Sequence, residues 1–360
     1  MKNMLIMKKL FFRVAIVATY FASVLVVTSI YGGNEDRSGQ AGATELLINP
    51  WARSSGWGTA NSATIHGLEA QFLNVAGTSF TAKTEIIFSH TIWLKGSGIN
   101  INAFGLTQRI SETGVLGISV MSMNFGDIDI TTVDLPEGGI GKFSPSYLNI
   151  GISYAKAFSN SIYGGANLKI ISEQIADNSA RGVAIDAGIQ YVTGIKENIK
   201  FGISLKNVGP RMKYSGDGLS IRAYLPGAAN SITVEQRSAE FELPSLINIG
   251  AAYDFTLSKN QDHLLTAAAN FTSNSFTKDQ YSLGAEYSFK KKAMLRAGYT
   301  YEKGILKSSE RTTVFTGLSA GFTIEVPLNK EKGSSFSLDY SYRATNPFSG
   351  THSIGARIYL

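Results

Sequence analysis

Tyr281-Ser282-Leu283-Gly284-Ala285-Glu286-Tyr287-Ser288-Phe289 decides the fold. Its odd positions are apolar or aromatic, and its even positions are polar or small. A period of two places successive side chains on opposite faces of a β-strand. The same alternation runs through Leu148-Ile150-Ile152-Tyr154, Val183-Ile185-Ala187-Ile189-Tyr191, Ile247-Ile249-Ala251-Tyr253-Phe255 and Phe336-Leu338-Tyr340-Tyr342. Such segments fill the chain from Lys83 to Leu360, separated by turn residues. They predict strands over 84–94, 99–108, 114–124, 146–158, 161–174, 181–193, 199–207, 243–256, 263–272, 280–289, 293–302, 314–323, 334–343 and 351–360. That is about fourteen, an even number as in single-chain bacterial barrels. Each strand is near the roughly ten residues that cross an outer membrane when tilted.

Alternation alone also suits a soluble β-sandwich, in which the apolar face packs on a second sheet. Three features favour a membrane barrel. Tyr and Phe concentrate near strand ends on the apolar face, as interfacial girdles require. The opposite face carries Gly151, Gly188, Gly250, Gly284, Gly298 and Gly355, which suits a crowded lumen. The last strand, Ser353-Ile354-Gly355-Ala356-Arg357-Ile358-Tyr359-Leu360, ends on the final residue. Its polar-x-Gly-x-x-apolar-x-apolar form resembles the signal that barrels present to their insertion machinery, with Ser353, Gly355, Ile358 and Leu360 as its positions. The loops agree. With a periplasmic C-terminus and an even strand count, the two longest connections, 125–145 and 208–242, both fall outside, and the turns between are short inside. The expected fold class is therefore an all-β membrane protein, an antiparallel transmembrane β-barrel of about 14 strands with an N-terminal plug segment.

The composition fits. Among 360 residues there are 37 Gly, 16 Tyr and 20 Phe, while charged residues make up 17%. The absence of cysteine excludes a disulfide framework, a thiolate metal site, a thiol nucleophile and a lipid-modified N-terminal cysteine. Lys2, Lys8, Lys9 and Arg13 precede an apolar run from Val14 to Tyr31, which reads as a cleaved secretory signal over 1–32. Removing it takes four positive charges from a net +6 and leaves about +2. The basic balance belongs largely to the leader, so no nucleic-acid partner follows from it.

Residues 33–82 form the expected plug-like segment and 83–360 the expected barrel; within the former, 43–82 do not alternate. The non-alternating segment is low in charge and rich in small side chains, which suits a lumen filling better than a free tail. A strand or cap outside the barrel is the competing reading. Asn61 to Phe72 predicts a short helix, and 73–82 an irregular stretch with a turn at Gly77. A plug needs polar partners on the wall. Asp186, Asp254, Glu286, Arg296, Glu302, Asp339, Arg343 and Arg357 all take the inward phase, and Arg53 could pair with an acidic one. Clustered buried charges are costly unless paired.

Catalytic and cofactor chemistry finds no support. His66, His90, His263 and His352 lack metal-ligand spacing. There is no G-x-S-x-G, phosphate loop or H-E-x-x-H. Gly56-Trp57-Gly58 is too short for a nucleotide fingerprint. Asp127, Asp129, Asp134 and Glu137 in a long loop read as solvated acids before they read as a calcium site. The expectation is a non-enzyme without cofactors or metals.

Leu46-Leu47-Ile48-Asn49-Pro50-Trp51-Ala52-Arg53-Ser54-Ser55-Gly56-Trp57-Gly58-Thr59-Ala60 resembles the opening of the PorV/PorQ family of Bacteroidetes outer-membrane proteins, with Trp57 where the family has Met. Asn74-Val75-Ala76-Gly77 is similar to its Asn-Pro-Ala-Gly, with Val75 for the proline. The resemblance continues through Thr84–Leu94, Tyr154–Ser159, Asn167-Leu168-Lys169, Ala184–Gly188, Asn207-Val208-Gly209-Pro210, Leu243-Pro244 and Leu295–Tyr299. It implies a FadL-like fourteen-stranded barrel in the outer membrane. It also implies a role in type IX secretion, with the translocon or the C-terminal domains of secreted proteins as partners beside lipid and the insertion machinery. A protein-binding barrel needs apolar, aromatic outer loops. Phe143, Tyr147, Tyr214, Tyr224 and Leu225 are the candidate contacts, and the Leu-Pro-Gly at 225–227 could pair with a partner strand. The alternative function is a FadL-like channel for small hydrophobic compounds, which rests on fold alone.

Overall fold

The computed structural model describes residues 35–224, 230–258, 260, 262–329 and 333–360. The expected leader over 1–32 lies outside the described residues. Fourteen antiparallel strands form the wall. They are β1 (Thr84–Trp93), β2 (Ile99–Arg109), β3 (Gly114–Asn124), β4 (Ser146–Ala157), β5 (Ile162–Ile175), β6 (Asn178–Thr193) and β7 (Ile199–Val208). The second half comprises β8 (Leu246–Thr256), β9 (His263–Asn274), β10 (Gln280–Phe289), β11 (Ala293–Glu302), β12 (Phe315–Asn329), β13 (Ser334–Thr345) and β14 (Thr351–Tyr359). Each pairs with the next in chain order, and β14 returns to β1 with Ile358 opposite Ile86 and Ser353 opposite Thr91. Closure leaves the wall without a free edge, the condition for a sheet in hydrocarbon.

The period-two pattern sets which face points where. Leu283 and Ile354 are 52% and 56% exposed on the outer face, while Ser282 and Glu286 on the inner face are 1% and 8% exposed. Apolar-out and polar-in is the reverse of a soluble sandwich and is what lipid selects. Predicted strand ends mostly fall within a few residues of the observed ones. The largest difference is β12, which continues past 323 to Asn329. Pro327 lies within this extension and pairs with Ser335, while Ile324, Val326 and Leu328 keep the outward phase.

One rim carries short turns such as 158–161, 194–198 and 290–292. The other carries the long connections. There, Ile128–Asp129 pairs with Lys142–Phe143, and Ser220–Tyr224 pairs with Ser231–Glu235. Met212–Gly216 extends the wall by pairing onto the start of β6, with Tyr214 opposite Ala180.

The segment before β1 packs on inward faces all round the wall. A helix over Asn61–Phe72 does not form. Two single-turn helices do, α1 (Ala52–Ser55) and α2 (Ala70–Leu73), followed by a 3-10 stretch over Val75–Phe80. The reason lies in the wall, whose side chains satisfy backbone groups that a continuous helix would pair internally. Gln190 Nε2 donates to the carbonyls of Ser62 (3.2 Å) and Ile65 (3.1 Å). Leu68 N–H donates to Glu85 Oε2 (2.8 Å), and Ser204 Oγ to the Leu73 carbonyl (2.8 Å). The inward glycines let the segment approach. A Cβ on Gly298 would overlap the Trp57 carbonyl, and one on Gly250 would overlap Ser62 Oγ. Gly298→Val should therefore lower stability by about 1–3 kcal/mol, the usual scale of overpacking. Semi-native gels checking it should show the folded band converting at lower temperature than in the parent. Unchanged conversion would mean that the segment yields freely at Trp57.

Candidate functional site

Two groups of side chains stand out, one toward each rim. The first lies toward the short-turn rim, where β10, β11, β13, β14 and β1 turn charged inward positions onto the segment. Arg357, 2% exposed, has Nη2 3.0 Å from Asp339 Oδ2 and Nε 3.5 Å from Glu85 Oε1. Its Nη2 also donates to Glu69 Oε1 of the segment. Glu69 Oε2 in turn accepts the Ser54 N–H at 2.9 Å, holding the start of α1. Beside this, Arg53 Nη2 lies 3.3 Å from Glu286 Oε1, while Arg296 Nε lies 2.8 Å from Glu286 Oε2. Three arginines thus face four carboxylates in one buried cluster. Removal from water is costly for each charge, and mutual pairing offsets that cost. Arg109 finishes the segment, donating to the carbonyls of Ser79 (2.9 Å) and Thr81 (2.6 Å) just before β1.

Other inward charges pair within the wall. Asp186 and Asp254, read from sequence as possible contacts of the segment, instead meet Lys169 at 2.6 Å and Lys200 at 2.7 Å. Lys169 lies two residues beyond Asn167, the residue opposite Asp186 on β5, so both side chains share the inward face. The β6–β7 register shifts between Ile185 and Ala187, and the Asp186 carboxylate accepts the Asn207 N–H at 2.8 Å. Asn207 takes a left-handed backbone conformation there, φ 58°. Arg343 stacks on Phe315, 3.7 Å from the ring centroid, apart from the segment. Glu302 accepts bonds from Gln280 Nε2 (3.1 Å) and Thr312 Oγ1 (2.8 Å).

The second group lies at the long-loop rim, where the described chain begins. Arg37 and Arg211 each reach Glu242 at 2.9 Å, and Ala41 bridges to Glu242 in parallel. Hydrogen bonding from Arg37 is the main reason that the half-buried Glu242 carboxyl titrates below its usual range. A cavity of about 300 Å³ opens beside this anchor. Its walls are the backbone of 39–44 with Glu45, Tyr147, Glu173, Tyr214 and Phe241. Tyr214 OH donates to Glu173 Oε2, and its ring lies 5.8 Å from that of Phe241. Glu45 and Glu173 are 4% and 3% exposed.

Of the loop residues singled out in the sequence, Tyr147 and Tyr214 meet at this cavity. Phe143 is half-buried in the short ribbon with Ile128, Tyr224 is 75% exposed farther out, and Leu225 lies outside the described residues. On the last strand, Ser353 is buried and accepts Thr91 Oγ1 at 2.7 Å, Gly355 faces Ala52, and Ile358 pairs with Ile86. Leu360 N–H donates to the Thr84 carbonyl at 3.0 Å, and the side chain is exposed. Sequence reading missed Glu45, Glu69, Glu85 and Glu173. Glu85 and Glu173 were accessible in principle, since both fall on the inward phase of their strands.

Comparison with known proteins adds the following. A family model described as type IX secretion system membrane protein PorP/SprF matches residues 97–358. The sequence resemblance to PorV/PorQ is thus met by a match to another type IX membrane family. No curated protein matches the chain. Among solved structures, the Pseudomonas putida toluene transporter TodX is similar, with a TM-score of 0.53 at 12% identity over 86% of this chain and 97% of that one. The Ralstonia pickettii toluene transporter TbuX gives 0.51 at 12% identity over 86% and 97%. A structure titled CymD monoaromatic hydrocarbon channel gives 0.51 at 15% identity over 87% and 97%. At these identities the likeness concerns the fold alone.

Proposed function

The chain belongs to the PorP/SprF family of type IX secretion system membrane proteins, and from that premise we propose that it binds secreted polypeptides or their translocon at the outer face of the outer membrane. Its closed, apolar-faced barrel lies in that membrane. The observation that carries the reading is the asymmetry of the two rims. Aromatic and apolar loop residues gather at one rim, which the loop-length rule assigns to the cell exterior. The segment over 33–82 acts as the plug, since its buried residues contact inward faces around the wall. The leader over 1–32 is cleaved on export, and the last strand addresses the chain to the insertion machinery. A PorV/PorQ-type role, passing secreted proteins from translocon to attachment machinery, is the finer form of the same reading.

A channel for small hydrophobic compounds draws support from the fold alone, and fold is weak evidence for function. Affinity purification of the tagged protein after cross-linking in cells separates the two. Secretion components or secreted proteins are the expected co-purifying species. Recovery of fatty acid or other lipid alone, with uptake lost in a deletion strain, would replace this proposal with the channel.

A further inference from the structure

The turn between β10 and β11 carries Lys290-Lys291-Lys292, three exposed charges of one sign. The other short turns are neutral, singly acidic or mixed in sign, as with Glu112 in 110–113 and Lys196 beside Glu197 in 194–198. No ion pair among the described residues involves any of the three lysines. The backbone does not favour lysine here either. Lys292 N–H closes the turn on the Phe289 carbonyl at 2.9 Å, and Lys290 and Lys291 between them take φ 51° and 55°. Hairpins usually give such a pair of positive φ values to Asn-Gly, because a Cβ crowds the left-handed region. Two lysines held in a disfavoured conformation at one spot point to a binding role for their side chains.

The turn sits where the lipid-facing wall ends. Phe289, Leu295 and Ile324 are exposed on the outward face within a few residues of it. His263, opposite Phe289 on β9, packs against that ring at 5.1 Å between centroids, and its Nδ1 lies 2.6 Å from Tyr287 OH. Aromatic rings with a polar tip mark the interfacial level of a membrane. Lys290 Nζ lies 5.4 Å from the Phe289 ring centroid, which keeps one ammonium beside the lipid-facing surface. A phospholipid matches both halves of this arrangement, with acyl chains on the outward apolar positions and its phosphate among the ammonium groups. We propose that the Lys290-Lys291-Lys292 turn binds the headgroup of an anionic phospholipid in the leaflet at the short-turn rim. Unpaired ammonium groups select net negative charge over a zwitterion, by about fivefold for each lysine near the surface. The proposal is independent of the polypeptide-binding reading, which concerns the opposite rim.

The test is native mass spectrometry of the purified full-length protein in detergent, titrated with dioleoyl phosphatidylglycerol or with zwitterionic dioleoyl phosphatidylethanolamine. The expected result is a phosphatidylglycerol adduct tighter by about tenfold or more, weakening as salt is raised. Lys290→Asn combined with Lys291→Gly removes two charges and supplies the residues that the backbone prefers. That variant should convert on semi-native gels at the same or a higher temperature than the parent. It should nevertheless lose most of the phosphatidylglycerol preference, about fivefold for each lysine removed. Equal retention of the two lipids by the parent, or an unchanged preference in the variant, would overturn the proposal and leave the turn to an acidic protein partner. Displacement of the lipid by an equal concentration of inorganic phosphate would overturn it as well, since the apolar wall would then contribute nothing. The comparisons on the parent protein stand even if the variant misfolds.

Discussion

Arg357→Ala is expected to destabilise the folded barrel by about 3–5 kcal/mol, the scale of breaking a buried ion pair from one side. The substitution leaves Glu69, Glu85 and Asp339 buried with their shared cation gone. Each of those carboxylates belongs to a different part of the chain: the segment, the first strand and the thirteenth. The loss is therefore felt at the barrel seam and at the segment together. Thermal conversion of the folded band on semi-native gels, with urea unfolding in detergent, measures it. Arg357→Lys should recover only part of the loss, because an ammonium cannot reproduce the forked contact. Arg343→Ala is the control. That guanidinium stacks on Phe315, an interaction worth about 0.5–2 kcal/mol. If Arg357→Ala were no worse than Arg343→Ala, the charge cluster would not be what fixes the segment to the wall.

The second large effect concerns the last three residues. Deleting Ile358–Leu360 should reduce insertion and leave the chain degraded or periplasmic. Ile358 pairs with Ile86 on one side and Phe336 on the other, and Tyr359 pairs with Glu85 and Ser335. Removing them opens the seam at the short-turn rim and strips the apolar end positions from the strand proposed as the insertion signal. Fractionation of cells with an antibody to the barrel provides the measurement. A truncated protein that still reached the outer membrane and kept its heat-modifiable mobility would show that the terminus is dispensable for delivery.

Much of the wall was legible in the sequence because lipid and lumen impose a period of two that local composition reveals. Tyr281–Phe289 shows both faces at a glance, and β10 spans Gln280–Phe289. Register was not legible. That Asp186 accepts the Asn207 N–H goes with a bulge at Ile185/Ala187, and no local pattern marks it. The segment was least legible. Its backbone groups are satisfied by side chains from strands distant in sequence, such as Gln190 and Glu85. A helix-like stretch over Asn61–Phe72 therefore resolves into turns. Glu45 and Glu69 were hidden for the same reason, since a non-periodic stretch offers no phase from which to infer direction.

The segment also settles a question of parity. Fourteen strands alone would leave both ends of the chain on one side of the membrane. Residues 37–43 lie at the long-loop rim, anchored to Glu242, while Arg109 holds 79–82 at the opposite rim. Between them the chain traverses the height of the barrel once more, as irregular backbone, which hydrocarbon would forbid and an enclosing wall allows. This passage leaves Arg37 at the long-loop rim, beside Glu242, and Leu360 at the short-turn rim, beside Thr84. If the long-loop rim faces the medium, as the loop-length rule predicts, a reporter fused ahead of Arg37 should be accessible from outside the cell and one fused after Leu360 should not; the reverse labelling would invert the barrel.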